Sequence, residues 1–257
     1  MADSSVYDSE GFFELYRRLR SNPLSLNEMV EKPTMLSLLP DLQHKRVLDL
    51  GCGYGEHMGL YLQRGAAFVA GIDLSQQMLD QARLELKKLC QNQPHFWDKN
   101  SFALYHLAME QTAQLAEEPF DVITSSFAFH YVADFSALLS ALSAKLRPGG
   151  VLLFSQEHPI VTAYLEGARW EKNAEKVQTA YRLNYYRDEG ERQRNWFGRD
   201  FTTYHRTMAT IVNALVDGGF RIEKMAEPML AESPQLQAEF KDLRHRPLLL
   251  FIRARKI

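Results

Sequence analysis

The chain has 257 residues, 46% of them hydrophobic and 24% charged, with a formal net charge of −2. That length supports one large α/β domain with a sizeable core, and the near-neutral charge gives no general attraction to nucleic acid. The two cysteines, Cys52 and Cys90, make neither a disulfide framework nor a metal cluster. No apolar run reaches membrane-spanning length, and the polar start MADSSVYDSE does not read as a signal peptide, so a reducing cytoplasm is the expected setting.

Residues 11–20 predict a short amphipathic helix, with Phe12, Leu15, Tyr16 and Leu19 on one face. A second helix is expected over 28–38, before Pro40. Val47, Leu48 and Leu50 then mark a short central strand over 46–50, covered on both faces. Gly51, Gly53 and Gly55 follow as a tight turn into a helix near 56–64. Such a helix aims free N–H groups, and the positive end of its dipole, at whatever lies over the turn. A dinucleotide-binding turn reads G-x-G-x-x-G. Here Glu56 stands where the third glycine belongs, which disfavours a nicotinamide dehydrogenase.

A strand over 67–72 leads to Asp73, about 20 residues beyond the first glycine, where an acid can accept hydrogen bonds from a ribose. The plainer reading of Asp73 is a helix cap, a task for which Ser75 is equally placed. The helix 76–90 carries Met78, Leu79, Ala82, Leu86 and Leu89 on its inner side, and 91–100 reads as a loop. Strand 102–107 precedes a short helix near 110–115, and strand 120–125 ends at Ser125-Ser126. Helix 134–146 stops at Pro148-Gly149-Gly150, before strand 151–155.

Residues 156–206 break this rhythm with Tyr164, Trp170, Trp196 and Tyr204 among many charges, and with a short hairpin expected around Asp188–Glu191. Helix 207–217, strand 220–226 and a last strand over Leu248–Ile252 complete the chain. Alternating strands and helices predict a mostly parallel, doubly wound α/β sheet.

Four segments in order, VLDLGCGYG, GIDLS with Met78-Leu79, FDVITSSFAFHYV and LRPGGVLLF, cover about residues 46–155. Together they resemble the class I S-adenosylmethionine-dependent methyltransferases, most of all the small-molecule subgroup of the ubiquinone/menaquinone type. The resemblance implies a Rossmann-like, seven-stranded sheet in the order 3-2-1-4-5-7-6, helices on both faces and an insertion after strand 5. Residues 1–257 would form a single methyltransferase domain. Within it, 1–40 is a helical cap and 156–206 an acceptor-side insertion, either a lid in which Trp196 leads or a dimer arm.

The implied cofactor is S-adenosyl-L-methionine, leaving as S-adenosyl-L-homocysteine. Gly51, Cys52, Gly53, Asp73, Leu74 and Met78 are its first expected neighbours, with Cys52 as small filler rather than nucleophile. Tyr16 or Arg20 of the leading helix would reach the methionine carboxylate, unless that helix merely packs. Adenine is expected near Ala108-Met109-Glu110. Ala108 replaces an acid common in the family, so amino-group recognition falls to Glu110, and Met109 either packs on the purine or belongs to the core. Ser125 ends strand 4. The following Ser126-Phe127-Ala128 lack the proline-rich tetrad of enzymes acting on amino groups of bases or glutamine.

His130 is read as a base, as a support for the methionine end, or as a structural histidine. Glu157 and His158, beside rigid Pro159, face the expected acceptor pocket or else form a solvated turn. Arg206 is a candidate for an acidic acceptor and Thr207 a helix cap. The histidines show no metal-ligand spacing, so no metal is expected. A small-molecule acceptor is the leading reading, for a monomer or homodimer with no membrane partner. The alternatives are a tRNA or other RNA methyltransferase, whose footprint would be Arg17, Arg18, Arg20, Arg244, Arg246, Arg253, Arg255 and Lys256, and a non-catalytic cofactor-binding protein.

Overall fold

The structure, a computed structural model, describes residues 8, 11–20, 22–92, 100–196, 198–229 and 240–257, apart from the side chains of Phe12, Tyr16 and Leu19. Helix α1 (Phe12–Arg20) leads to a turn of π-helix (Asn27–Glu31) that runs directly into α2 (Lys32–Leu38). The expected single helix over 28–38 is thus two geometries in series. β1 (Arg46–Leu50), α3 (Glu56–Gln63), β2 (Phe68–Asp73), α4 (Gln76–Asn92) and β3 (Phe102–His106) alternate as expected. A 3₁₀ segment (Met109–Gln114) then precedes β4 (Phe120–Ser125), α5 (Phe135–Lys145) and β5 (Leu146–Glu157). β5 starts earlier than the glycine pair suggested, because Leu146 already pairs with Phe120 and the ladder resumes at Val151 after a register shift.

The sheet has seven strands, β3-β2-β1-β4-β5 and then β11 (Leu249–Lys256) beside β10 (Phe220–Ala226) at the edge. The strands through β5 are parallel, while β11 runs antiparallel to both β5 and β10. Counting sheet strands alone, this is the expected order 3-2-1-4-5-7-6.

Side chains alternate across each strand, so the two faces build separate cores. Leu48, Leu50, Leu152 and Phe154 pack with α5 and with α7 (Met208–Asp217). Val47, Val69 and Val122 pack with α3 and α4, and Val151 and Leu153 pack with α2. Asp49 shares the face of Val47, which turns a buried carboxyl toward α3.

After β5 comes the short α6 (Pro159–Thr162), and then two hairpins outside the main sheet: β6 (Trp170–Lys172) with β7 (Gln178–Tyr181), and β8 (Gly190–Trp196) with β9 (Arg199–His205). The hairpin expected around Asp188–Glu191 is displaced. Gly190 opens β8 opposite His205, and the turn falls beyond the Trp196–Arg199 pair, where Gly198 takes φ 73°. Thr207 caps α7 as expected, its Oγ1 accepting from Thr210 N at 3.2 Å.

Candidate active site

The turn after β1 is shaped by backbone need. Gly51 has φ 66°, and a Cβ there would stand 3.0 Å from the Ala128 Cβ. Gly53 has φ 52° and donates its N–H to Asp73 Oδ2 at 2.8 Å. Asp73 Oδ1 accepts from Ser75 N at 2.9 Å. Asp73 thereby ties the glycine turn to the end of β2. Ser75 does the capping, its Oγ accepting from Met78 N at 3.1 Å. Each carboxylate oxygen of Asp73 keeps capacity for a further donor. Burial holds the Asp73 carboxyl above its ordinary value, against the pull of the two N–H donors.

Over this turn lies a cavity of about 1190 Å³ at the C-terminal ends of the parallel strands. Gly51, Cys52, Gly53, Asp73, Leu74 and Met78 line it, and so do Ala108, Met109 and Glu110 from beyond β3. Arg20 reaches it too, held by Glu56, whose Oε2 accepts from Nη2 at 2.7 Å. Lys32 adds a bond to the same Glu56 and another to Glu28 at 2.6 Å. The side chain of Tyr16 lies outside the described residues. Ser125 is the exception among the expected cofactor neighbours. Its Oγ is buried, donates to Leu50 O at 3.0 Å, and is not part of the cavity wall.

None of the three expected catalytic side chains lines the cavity. His158 uses both ring nitrogens elsewhere: Nδ1 accepts from Ile160 N at 3.1 Å, and Nε2 meets Glu227 Oε1 at 2.8 Å. It is a cap for α6 with a carboxylate partner. His130 is buried between Phe127 and Tyr131, with ring centroids 5.0 and 4.3 Å away, and burial lowers its pKa. Its Nδ1 faces Glu157 N at 3.5 Å, and the Glu157 Oε2 is buried without a hydrogen-bond partner. Arg206 likewise does not line the cavity, donating instead to Val132 O and to Ala133 O at 2.9 Å.

The opposite wall comes from three places. Phe127 and Tyr131 follow β4, Phe240 precedes β11, and Trp196, Phe201 and Tyr204 come from the β8–β9 hairpin. Asp49, His57 and Ser126 supply polar atoms at the floor. Burial pushes the Asp49 carboxyl up to about 7, although Thr124 Oγ1 donates to it at 2.9 Å. Sequence reading had passed over Asp49, His57 and Glu31; an acid amid a buried strand was the one available signal.

The family profile described as a methyltransferase domain matches residues 48–154. An uncharacterized protein of Haemophilus influenzae is 60% identical over 98% of this chain and 97% of its own. A solved structure from Listeria monocytogenes, a candidate S-adenosylmethionine-dependent methyltransferase, is 32% identical with a TM-score of 0.73, over 88% of this chain and 98% of that one. The chain belongs to the class I S-adenosylmethionine-dependent methyltransferases.

A ubiquinone biosynthesis O-methyltransferase of Neisseria meningitidis is 34% identical over 49% of this methyltransferase, which spans about half of that enzyme's length (49%). S-adenosylmethionine is the cofactor, and the residues present fit it. The glycine turn admits no Cβ at Gly51, and Asp73 offers buried acceptor capacity beside it. Among the described residues, no three His, Cys, Asp or Glu side chains gather to hold a metal ion, and no helix is long and apolar enough to cross a membrane.

Proposed function

We propose that this methyltransferase transfers a methyl group to a small organic acceptor with an aromatic or otherwise apolar body. The observation that carries the reading is the single cavity whose one side holds the glycine turn and Asp73, and whose other side holds Tyr131, Trp196, Phe201 and Tyr204. At about 1190 Å³ it exceeds the ~300–1,000 Å³ usual for one ligand, which leaves room for an acceptor beside the cofactor. The aromatic wall offers flat apolar contact with polar tips.

S-adenosylmethionine brings a methyl group already activated by the positive sulfur, so the protein's work is chiefly alignment and exclusion of water. Asp73 takes the ribose hydroxyls, and Gly51, Cys52 and Gly53 let the backbone approach. Ala108, Met109 and Glu110 border the adenine. Arg20 is positioned for the carboxylate end, exchanging its Glu56 partner for it. The β8–β9 hairpin is the acceptor-side cover.

The basic residues that an RNA footprint would use are engaged within the chain, which supports the small-molecule reading. Arg253 and Arg255 pair with Glu223, at 2.9 Å for the Arg253 bridge. Arg246 pairs with Asp242 at 3.1 Å and Arg17 with Glu14 at 2.8 Å, and Lys256 donates to Ser143 O at 2.6 Å. The test supplies methyl-labelled S-adenosylmethionine with a deproteinised metabolite extract or with total RNA. Label should enter a low-mass, organic-extractable product. Label in RNA, falling steeply with salt, would refute the reading.

A further inference from the structure

Beside the cavity lies a polar cluster built on Glu31, His57, Ser126 and Ser155. Glu31 ends the π-helical turn and is 0% exposed. Its Oε1 accepts from Ser126 Oγ at 2.6 Å and from Ser155 Oγ at 2.8 Å. Its Oε2 has no hydrogen-bond partner, and His57 Nε2 faces it from 3.6 Å, buried and equally unpartnered. A buried carboxyl oxygen is costly when no donor meets it, and the imidazole N–H is the group standing nearest to Oε2. π-helical turns recur at functional sites, and this one delivers Glu31 beneath α3.

His57 stands in the first turn of α3 and lines the cavity, as does Ser126. The ring therefore lies between a buried carboxylate and the ligand space. A carboxylate behind a histidine fixes its tautomer and orientation and supports the imidazolium when it forms. With Nε2 turned to Glu31, Nδ1 is the nitrogen left to accept a proton.

We propose that His57, oriented by Glu31, is the general base of the reaction, and that the acceptor is a hydroxyl compound, phenolic in keeping with the aromatic wall. This rests on the methyl-transfer reading of the cavity. A phenol holds its proton at neutral pH, with a pKa of about 10, so a base must take it as the bond forms. A neutral amine attacks through a free lone pair and needs none. In the step, the hydroxyl oxygen's pair forms the O–C bond, the C–S bond breaks with its pair left on sulfur, and the proton passes to Nδ1, then to solvent as products leave. Burial lowers the His57 pKa; Glu31 and Glu56 raise it, and Arg20 and Lys32 lower it. The net direction is downward, which favours the neutral ring that can accept a proton.

The test uses the full chain with His57→Gln and Glu31→Gln. Nitrogen-15 imidazole spectra should place the neutral ring's proton on Nε2 in the wild type. In Glu31→Gln that preference should weaken and the His57 pKa should fall further. With catechol as acceptor, His57→Gln should lose roughly 100-fold or more in rate. Its calorimetric Kd for S-adenosylhomocysteine should stay within about threefold of wild type, since a base acts on the acceptor's proton and not on the cofactor; a larger loss would make His57 a cofactor-binding residue and overturn the inference. A proton on Nδ1, a His57 titration unmoved by Glu31→Gln, or transfer to aniline but not catechol overturns this inference and leaves the methyl-transfer reading standing. Failure of the wild type to bind S-adenosylhomocysteine overturns the reading beneath it instead.

Discussion

Replacing Asp73 with alanine separates two roles that one carboxylate plays. In the folded protein it accepts from Gly53 N at 2.8 Å and from Ser75 N at 2.9 Å, joining the glycine turn to the start of α4. Hydrogen bonds to a charged group contribute about 1.5–3 kcal/mol each. Burial of the carboxyl works against them, as its raised pKa shows, so the net loss on truncation belongs near the lower end, about 2–4 kcal/mol. For a domain of this size each kcal/mol moves the melting midpoint by about 2–4 °C, which gives a drop of about 4–16 °C.

Cofactor affinity should fall separately. Two bonds from the ribose hydroxyls would vanish, and each 1.4 kcal/mol is tenfold in Kd, so S-adenosylhomocysteine should bind at least tenfold more weakly. Differential scanning calorimetry reads the first effect, and titration calorimetry, well below the midpoint, reads the second. A lower midpoint with an unchanged Kd would refute the ribose role alone. An unchanged midpoint would refute the bridging role derived from the two backbone donors.

Asp49→Asn should become increasingly more stable than the wild type from about pH 4 to pH 7, with a constant margin above. The folded Asp49 pKa, about 7, lies above its unfolded value, so the native state holds the extra proton in that window and its stability falls as the pH rises. Urea midpoints of both proteins at pH 5 and 7.5 check this; equal differences at the two pH values contradict it. His158→Ala should cost about 1 kcal/mol through the lost cap on α6 while S-adenosylhomocysteine binding stays unchanged, and a large loss of binding would return His158 to the site. Limited proteolysis should cut near Gly198 more slowly with S-adenosylhomocysteine bound; protection that follows protein concentration and ignores the cofactor would favour a dimer arm over a lid.

What could be read from the sequence was what the backbone dictates locally. A glycine turn after an apolar strand, then an acid at the next strand's end, has few folded solutions, and Gly51, Gly53 and Asp73 occupy the one expected. The parallel, doubly wound character of the sheet followed from the alternation of strands and helices, while its strand order came from the family resemblance. The side chains expected to be catalytic lie off the cavity wall because β5 continues to Glu157 under the ladder of β11, with Glu157 opposite Leu249. That pairing carries His158 past the cavity to Leu248, whose O accepts its N–H at 2.9 Å, and on to Glu227. The β8–β9 turn was misplaced because Asp188-Glu189-Gly190 has turn composition, yet Gly190 enters a strand. Glu31 and His57 were passed over because their meeting depends on a π-helical turn, which shifts the register by which helical faces are counted.

The two sides of the cavity are held by different means, and this bears on how the site works. The cofactor side is built from strand ends inside one hydrogen-bonded sheet, so its geometry is fixed with the fold. The wall proposed for the acceptor leans on a separate two-stranded hairpin anchored at its base. There His205 Nδ1 meets Thr162 Oγ1 at 2.7 Å, His205 Nε2 meets Tyr186 O at 2.9 Å, and Arg206 holds the carbonyls of Val132 and Ala133. At the far end Arg199 and Asp200 are exposed and border the cavity together with Trp196 and Phe201 from the same hairpin. An arm tied at its root can move as one piece without disturbing the sheet. The β6–β7 hairpin does not share this role: its Trp170 packs against Tyr181 and His245, at 5.0 and 5.5 Å, away from the cavity. Under the proposed function acceptor choice belongs to β8–β9, so substituting Trp196 or Phe201 should alter acceptor specificity while S-adenosylhomocysteine binding at the turn around Asp73 is kept; a loss of that binding would count against the assignment.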